Sequence, residues 1–238
     1  MYQKTNLKLS SSDKTIDIFM PDRVSTNNTV VYVLDGEKLI PNLISGFEEG
    51  KNLVLPVLVS LSGDNRLNDF TPWPASSLVG HFPDFGGEGN QYISWMENEL
   101  MPAVEDFLKE SGADQAKDFE SVLLGYSLGG LLGVYASFIS KAFAKIVSIS
   151  GSFWYPEWDS FIQNHMPARS DVKYMMAYGN REGLGKKSIQ KDAVIRSEVT
   201  YRILCQYTKE FPVIVDDGGH HDHLKERLSH AAKWICES

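Results

Sequence analysis

The sequence predicts an α/β fold: a mostly parallel central sheet of about eight strands with helices on both faces. Three observations predict it. Continuous apolar, β-branched runs such as Val30-Val31-Tyr32-Val33-Leu34 suit strands buried on both faces, as in parallel sheets. From residue 90 onward, strand-like runs alternate with segments of helical period, the pattern of βαβ units with right-handed crossovers. The chain has 238 residues, 42% of them hydrophobic, enough to bury one large core without disulfide or metal staples. No internal repeat or low-complexity block divides it, so one domain over residues 1–238 is expected.

The elements follow in order. Residues 4–9 and 15–20 alternate polar and apolar, and Ser10-Ser11-Ser12-Asp13 supplies a turn between two strands. Val30–Leu34 and Leu53–Leu61 are the next two strands. Residues 90–109 place Tyr92, Trp95, Met96, Leu100, Val104, Phe107 and Leu108 at helical spacing, and Gly112 fits the stop. Ser121–Gly125 reads as a strand, 128–140 as an apolar helix, and Lys145–Ile149 and Val172–Tyr178 as strands. A helix over 188–209 precedes the strand Val213-Ile214-Val215, and an amphipathic helix over 223–236 closes the chain. The segments 62–89 and 150–170 read as long loops rich in Pro, Gly and aromatics, a setting in which function often resides.

Charge narrows the partners. With 23 Lys and Arg against 31 Asp and Glu, the net charge is −8, so nucleic acid and anionic membrane surfaces are not expected partners. Two cysteines, Cys205 and Cys236, make no disulfide framework and no CxxC pair. The first 22 residues contain no uninterrupted apolar core of a signal peptide, and the apolar run from Leu53 is too short for a membrane span. A soluble cytoplasmic protein is expected, with a homodimer as a possible assembly.

The sharpest chemical signal is Gly125-Tyr126-Ser127-Leu128-Gly129, a G-x-S-x-G pattern between the apolar strand Val122-Leu123-Leu124 and a helix of small and apolar residues. A serine on such a strained turn needs glycines where side chains would collide. The helix that follows aims its first amides at a developing oxyanion. Ser127 is therefore the candidate nucleophile.

A serine hydroxyl needs a base, and the base needs an orienting group. In a strand–turn–helix frame of this kind the order is serine, acid, histidine. After Val213-Ile214-Val215 comes Asp216-Asp217-Gly218-Gly219-His220-His221-Asp222-His223, the expected place for the base, although local pattern selects none of the three histidines. A zinc site is the rival reading of this cluster, whose three histidines fall mostly in a helix-entry turn. No cofactor and no metal is expected. His81 and His165 read as ordinary loop histidines. For the acid, Glu182 in Tyr178-Gly179-Asn180-Arg181-Glu182-Gly183 follows the right strand; Asp159 is the reserve, and Asp192 is less well placed. The backbone amides of Leu128 and Glu37, the latter after Leu34-Asp35-Gly36, are the candidate oxyanion donors.

Five segments together resemble the esterase branch of the α/β-hydrolase superfamily, which includes esterase D and S-formylglutathione hydrolases, enterochelin-type siderophore esterases and mycolyltransferases. They are VYVLDGE at 31–37, DNRLNDFTPWP at 64–74, GYSLGG at 125–130, YGNREG at 178–183 and GGHHDHLKERL at 218–228. The resemblance implies an α/β-hydrolase fold. It also implies that Ser127 is the nucleophile, with oxyanion amides at Leu128 and Glu37 and the acid at Glu182. The family's histidine is usually followed by Asp or Asn and, six positions on, by Arg; Asp222 and Arg227 satisfy this for His221, which makes His221 the expected base. Arg66 and Asp69 are expected to brace their loop.

The expected activity is hydrolysis of a small acyl or aryl carboxylic ester through an acyl-enzyme. Siderophore-ester hydrolysis, thioester hydrolysis of the S-formylglutathione type and acyl transfer are the enzymatic alternatives. A non-enzymatic ligand-binding scaffold is the alternative of a different class. Phe70, Trp73, Phe82, Phe85, Phe153, Trp154, Tyr155 and Trp158 offer aromatic walls for an apolar acyl or aryl pocket, although at least half are expected simply to pack the loops.

Overall fold

The computed structural model describes residues 2–9, 14–22, 29–50, 54–78, 83–112 and 119–237. Eight strands form one sheet: β1 (Tyr2–Lys8), β2 (Thr15–Pro21), β3 (Thr29–Leu34), β4 (Val57–Leu61), β5 (Glu120–Tyr126), β6 (Lys145–Ile149), β7 (Lys173–Gly179) and β8 (Val213–Asp216). Their spatial order is β1-β2-β4-β3-β5-β6-β7-β8. β1 and β2 pair antiparallel, as do β2 and β4, and every pairing from β4 through β3 to β8 is parallel.

Side-chain alternation along the central strands divides the core into two. Val31 and Val33 of β3, and Val122 and Leu124 of β5, bury against α1 (Gly36–Glu49) and α8 (Leu224–Glu237) through Leu39, Leu43, Phe47, Leu228 and Ala232. Val30, Tyr32, Leu34 and Leu123 point to the other face. There they join the larger cluster with α3 (Gly89–Trp95), α4 (Met101–Glu110), α5 (Leu128–Ile139) and α6 (Trp158–Asn164). A π-helical turn, Met96–Leu100, joins α3 to α4, and Gly112 takes φ 82° just past α4, the left-handed stop that its position predicts.

Several elements depart from the sequence reading. α1 falls in a stretch assigned to no element; Pro41 and Gly46 inside it mask an apolar stripe of Leu39, Ile40, Leu43 and Phe47. The expected helix over 188–209 is a 3₁₀ turn, Ile189–Asp192, followed by α7 (Ala193–Leu204), and ends five residues early. The two long loops contain short helices, α2 (Arg66–Asp69) and α6. The strand expected from Leu53 begins at Val57, after Pro56. Ser10–Asp13, Leu53, His81 and Phe82 lie outside the described residues.

Of the loop aromatics, Phe70, Phe85, Phe153, Tyr155 and Trp158 are buried and Trp73 is half-buried; these pack the loops onto the core. Trp73 and Tyr155 meet edge to face with ring centroids 5.9 Å apart, and Phe153 and Trp158 stack at 5.6 Å. No helix among the described residues is long and apolar enough to cross a membrane.

Candidate active site

Parallel strands open their carboxyl ends onto one rim of the sheet, where ligand sites of such folds collect. Ser127 sits on that rim at the end of β5, with φ 60° and ψ −118°. A non-glycine residue tolerates this strained backbone only when its surroundings fix it. Here its N–H donates to Ile149 O at 2.9 Å, and its carbonyl accepts from Ser152 N at 3.0 Å. Gly125 permits the turn, since a Cβ there would lie 2.3 Å from the backbone carbonyl of Gly129.

The loop after β8 brings a histidine to the serine, and it is His220. Its Nε2 stands 3.0 Å from Ser127 Oγ, and its Nδ1 stands 2.9 Å from Glu182 Oε2. An ionised carboxylate only accepts, so Nδ1 carries the proton in this arrangement and Nε2 turns its lone pair toward the serine hydroxyl. This corrects the expectation of His221. The His221 ring turns away from the serine, and its Nδ1 meets Tyr126 Oη at 2.7 Å. The Tyr126 hydroxyl donates to the His220 carbonyl at 2.8 Å, so it accepts from His221 Nδ1–H. The Tyr126 ring also stacks on the His220 imidazole with centroids 5.0 Å apart. Burial, then the nearby charges of His220, Lys38 and Lys186, lower the His221 pKa below its ordinary value.

The motif that favoured His221 is explained by what Asp222 and Arg227 hold. Asp222 accepts from Gly219 N–H at 2.7 Å and ties the turn before the histidines. Arg227, on α8 and fully buried, donates Nε to Asp216 Oδ2 at 2.6 Å and Nη2 to Asp216 Oδ1 at 2.8 Å. It also donates to Ser150 Oγ, to the Gly219 carbonyl and to Glu182 Oε1. Both residues brace the whole loop, and their spacing does not mark which histidine enters the site.

Glu182 follows β7 and is buried. Burial opposes its ionisation, but hydrogen bonds from His220 and the Gly179 amide outweigh that penalty and hold its pKa below the ordinary value. The reserve acid, Asp159, points elsewhere and pairs with Arg196. Asp192 closes the 3₁₀ turn before α7, and His165 Nδ1 bonds its own helix at Phe161 O, 2.8 Å. Among the described residues, no group of three or more His, Cys, Asp and Glu is placed to hold a metal ion.

Leu128 and Glu37 are the first residue of α5 and the second of α1, positions whose amides have no intrahelical acceptor. Arg66 bridges the same rim: its Nε lies 2.9 Å from both carboxylate oxygens of Asp35, and Nη2 donates to Tyr126 O at 3.2 Å. Asp69 accepts from Asn65 N at 3.1 Å, holding the start of α2. A cleft of 440 Å³ lies on one side of Ser127, lined by Asp35, Glu37, Lys38, Arg66, His220 and His221 among others. A second hollow of 230 Å³ shares Ser127 and Arg66 with it and has Leu67, Leu78, Phe85, Leu128, Ser152 and Trp154 among its walls. Ser152 was not anticipated by the sequence; its Oγ stands 3.3 Å from Ser127 Oγ.

Among solved structures, this fold is similar to an IroE-like serine hydrolase from Shewanella oneidensis, with TM-score 0.73 at 18% identity over 99% of this chain and 78% of that one. It is similar to the siderophore hydrolase EstB of Aspergillus nidulans, with TM-score 0.71 at 15% identity over 99% and 95% of the two chains. It is also similar to the enterobactin hydrolase IroE in complex with DFP, with TM-score 0.71 at 18% identity over 100% and 95%. At these identities the likeness is one of fold, and the chain has the α/β-hydrolase fold that its motifs imply. No protein-family model matches the chain. An uncharacterized protein of Bacillus subtilis (strain 168), YbbA, is 30% identical over an alignment that covers 94% of this chain and 93% of that protein. The chain belongs to the YbbA family.

Proposed function

We propose that the protein is a serine ester hydrolase in which Ser127 is the nucleophile, His220 the general base and acid, and Glu182 the group that orients the imidazole. The observation that carries this reading is the continuous chain from Ser127 Oγ to His220 Nε2 at 3.0 Å and from His220 Nδ1 to Glu182 at 2.9 Å. Both links fall within hydrogen-bond reach.

The reaction runs in two balanced halves. Ser127 Oγ attacks the ester carbonyl carbon while His220 Nε2 takes the hydroxyl proton, and the carbonyl oxygen gains the negative charge. The amides of Leu128 and Glu37 donate to that oxyanion. Collapse breaks the bond to the alkoxy oxygen, which leaves as the alcohol with the proton from His220. Water then repeats the sequence on the acyl-serine, releasing the acid and restoring Ser127. The sum is ester plus water to acid plus alcohol, with no cofactor.

A small acyl or aryl ester fits the two hollows beside Ser127. Hydrolysis of a siderophore ester is the second reading, supported by the names of the structural neighbours. Intact-mass spectrometry after exposure to a fluorophosphonate tests the chemistry. One adduct on the Ser127 peptide, and loss of short-chain ester turnover in a folded Ser127→Ala variant, are the expected results. Full turnover by that variant would overturn the assignment.

A further inference from the structure

The two hollows at Ser127 differ in chemistry, and the position of His220 tells them apart. Leu67, Leu78, Pro83, Phe85, Leu128 and Trp154 give the smaller one mostly apolar walls. The larger one is also lined more by apolar than by polar surface, but it gathers the charged and titratable side chains Glu37, Lys38 and His221, while Arg66 borders both hollows and His220 lines the larger one and not the smaller. In ester cleavage the leaving oxygen must come within reach of the general acid. The alcohol therefore lies on the His220 side, and the acyl group faces away from it.

Building on the esterase reading above, we propose that the 230 Å³ hollow is the acyl subsite and the 440 Å³ cleft the alcohol subsite, so that the preferred substrates are esters of a short apolar acid with a neutral, hydroxylated alcohol. The hollow has about half the volume of the cleft, 230 against 440 Å³, which suits it to the smaller of the two groups. The charges set the alcohol. Asp35 is neutralised by Arg66 within the cleft, and Glu37 faces the same space as Lys38, so the walls carry no excess of either sign. A balanced, donor- and acceptor-bearing wall suits hydroxyl groups better than a strongly charged alcohol.

Glyceryl monoesters of acetic, butyric, octanoic and palmitic acids test the acyl side. Ethyl butyrate, glyceryl monobutyrate and butyrylcholine test the alcohol side. The expected pattern is a kcat/KM about tenfold higher for butyryl than for acetyl glycerol, from two added methylenes, with a decline at palmitoyl. Glyceryl monobutyrate is expected to exceed both ethyl butyrate and butyrylcholine.

Leu78→Trp, which fills the apolar hollow, should lower the octanoyl-to-acetyl ratio at least fivefold. A ratio taken within one preparation cancels any loss of folded enzyme. Trp154→Ala provides the opposite change and should raise the same ratio. A Ser127 fluorophosphonate adduct and measurable hydrolysis, with ratios that neither variant moves, would overturn the subsite proposal and leave the esterase reading standing. No adduct and no hydrolysis of any ester would overturn both.

Discussion

The two adjacent histidines give the most direct test of the site, because the family resemblance favours one and geometry the other. Replacing His220 with Ala removes both the group 3.0 Å from Ser127 Oγ and the partner of Glu182, which on the proposed assignment leaves the hydroxyl without a base. Removing the histidine of a serine–histidine–carboxylate triad costs about 10⁴-fold or more in turnover. His221→Ala removes one hydrogen bond, from Nδ1 to the Tyr126 hydroxyl at 2.7 Å, while the bond from Tyr126 to the His220 carbonyl remains. A bond of that sort contributes about 1 kcal/mol. Transmitted entirely to the transition state, it amounts to about a fivefold loss. The assay is kcat on a short-chain ester together with the rate of fluorophosphonate labelling, measured on both variants after thermal melts show that they are folded. A gap of three orders of magnitude or more, with His220→Ala the poorer, is expected. A crippled His221→Ala beside an active His220→Ala would refute the geometric assignment.

The remaining predictions concern the buried frame beneath the site. Arg227→Met leaves Asp216 and Glu182 without their shared partner, and breaking a buried pair in this way costs about 3–5 kcal/mol. For a domain of this size that lowers Tm by about 10 °C, read by calorimetry; a shift under 2 °C would show that the pairs contribute little. The pKa of Asp216 lies below its ordinary value, chiefly through its hydrogen bonds from Arg227, and that of Glu182 is also depressed. Carboxylates with depressed native values stabilise the fold above the ordinary range of about 4 and lose that stability as pH falls through the native values. Tm should therefore stay level from pH 7 to about 5 and decline below about 4; a Tm that rises between pH 5 and pH 3 would contradict the sign.

The sheet was legible because burial on two faces leaves a strong mark. All eight strands were placed, the first two from polar–apolar alternation and the others from apolar runs, and Lys145–Ile149 matched to the residue. α1 was not, since Pro41 and Gly46 interrupt the helical composition while tertiary packing restores the helix: a Cβ at Gly46 would lie 2.8 Å from Ser229 Cα on α8. Such a close helix crossing depends on a partner 183 residues away, and no local window contains it. The early end of the 188–209 helix has a similar source, for Phe211 must reach Tyr174 of β7, with ring centroids 5.4 Å apart, before β8 begins.

The candidate site divides along the same line. Ser127 was legible because the elbow is a local conformation with local steric demands: a strained φ of 60° and no room for a Cβ at Gly125. Glu182 was legible to the extent that one carboxylate follows β7 in a short turn. The choice between His220 and His221 was not local. Neighbouring residues on one turn point in different directions, so a slip of one position exchanges the side chain that enters the site for one that leaves it. The direction is fixed by three distant contacts: Arg227 on the Gly219 carbonyl, Glu182 on His220 Nδ1 and the Tyr126 hydroxyl on His221. Tyr126 thereby belongs to the elbow by sequence and to the histidine loop by contact. Tyr126→Phe keeps the ring that stacks on His220 and removes only the hydroxyl, so it separates the two roles. A loss of up to about fivefold in kcat is expected, and no change in labelling rate would show that the hydroxyl does not position the base.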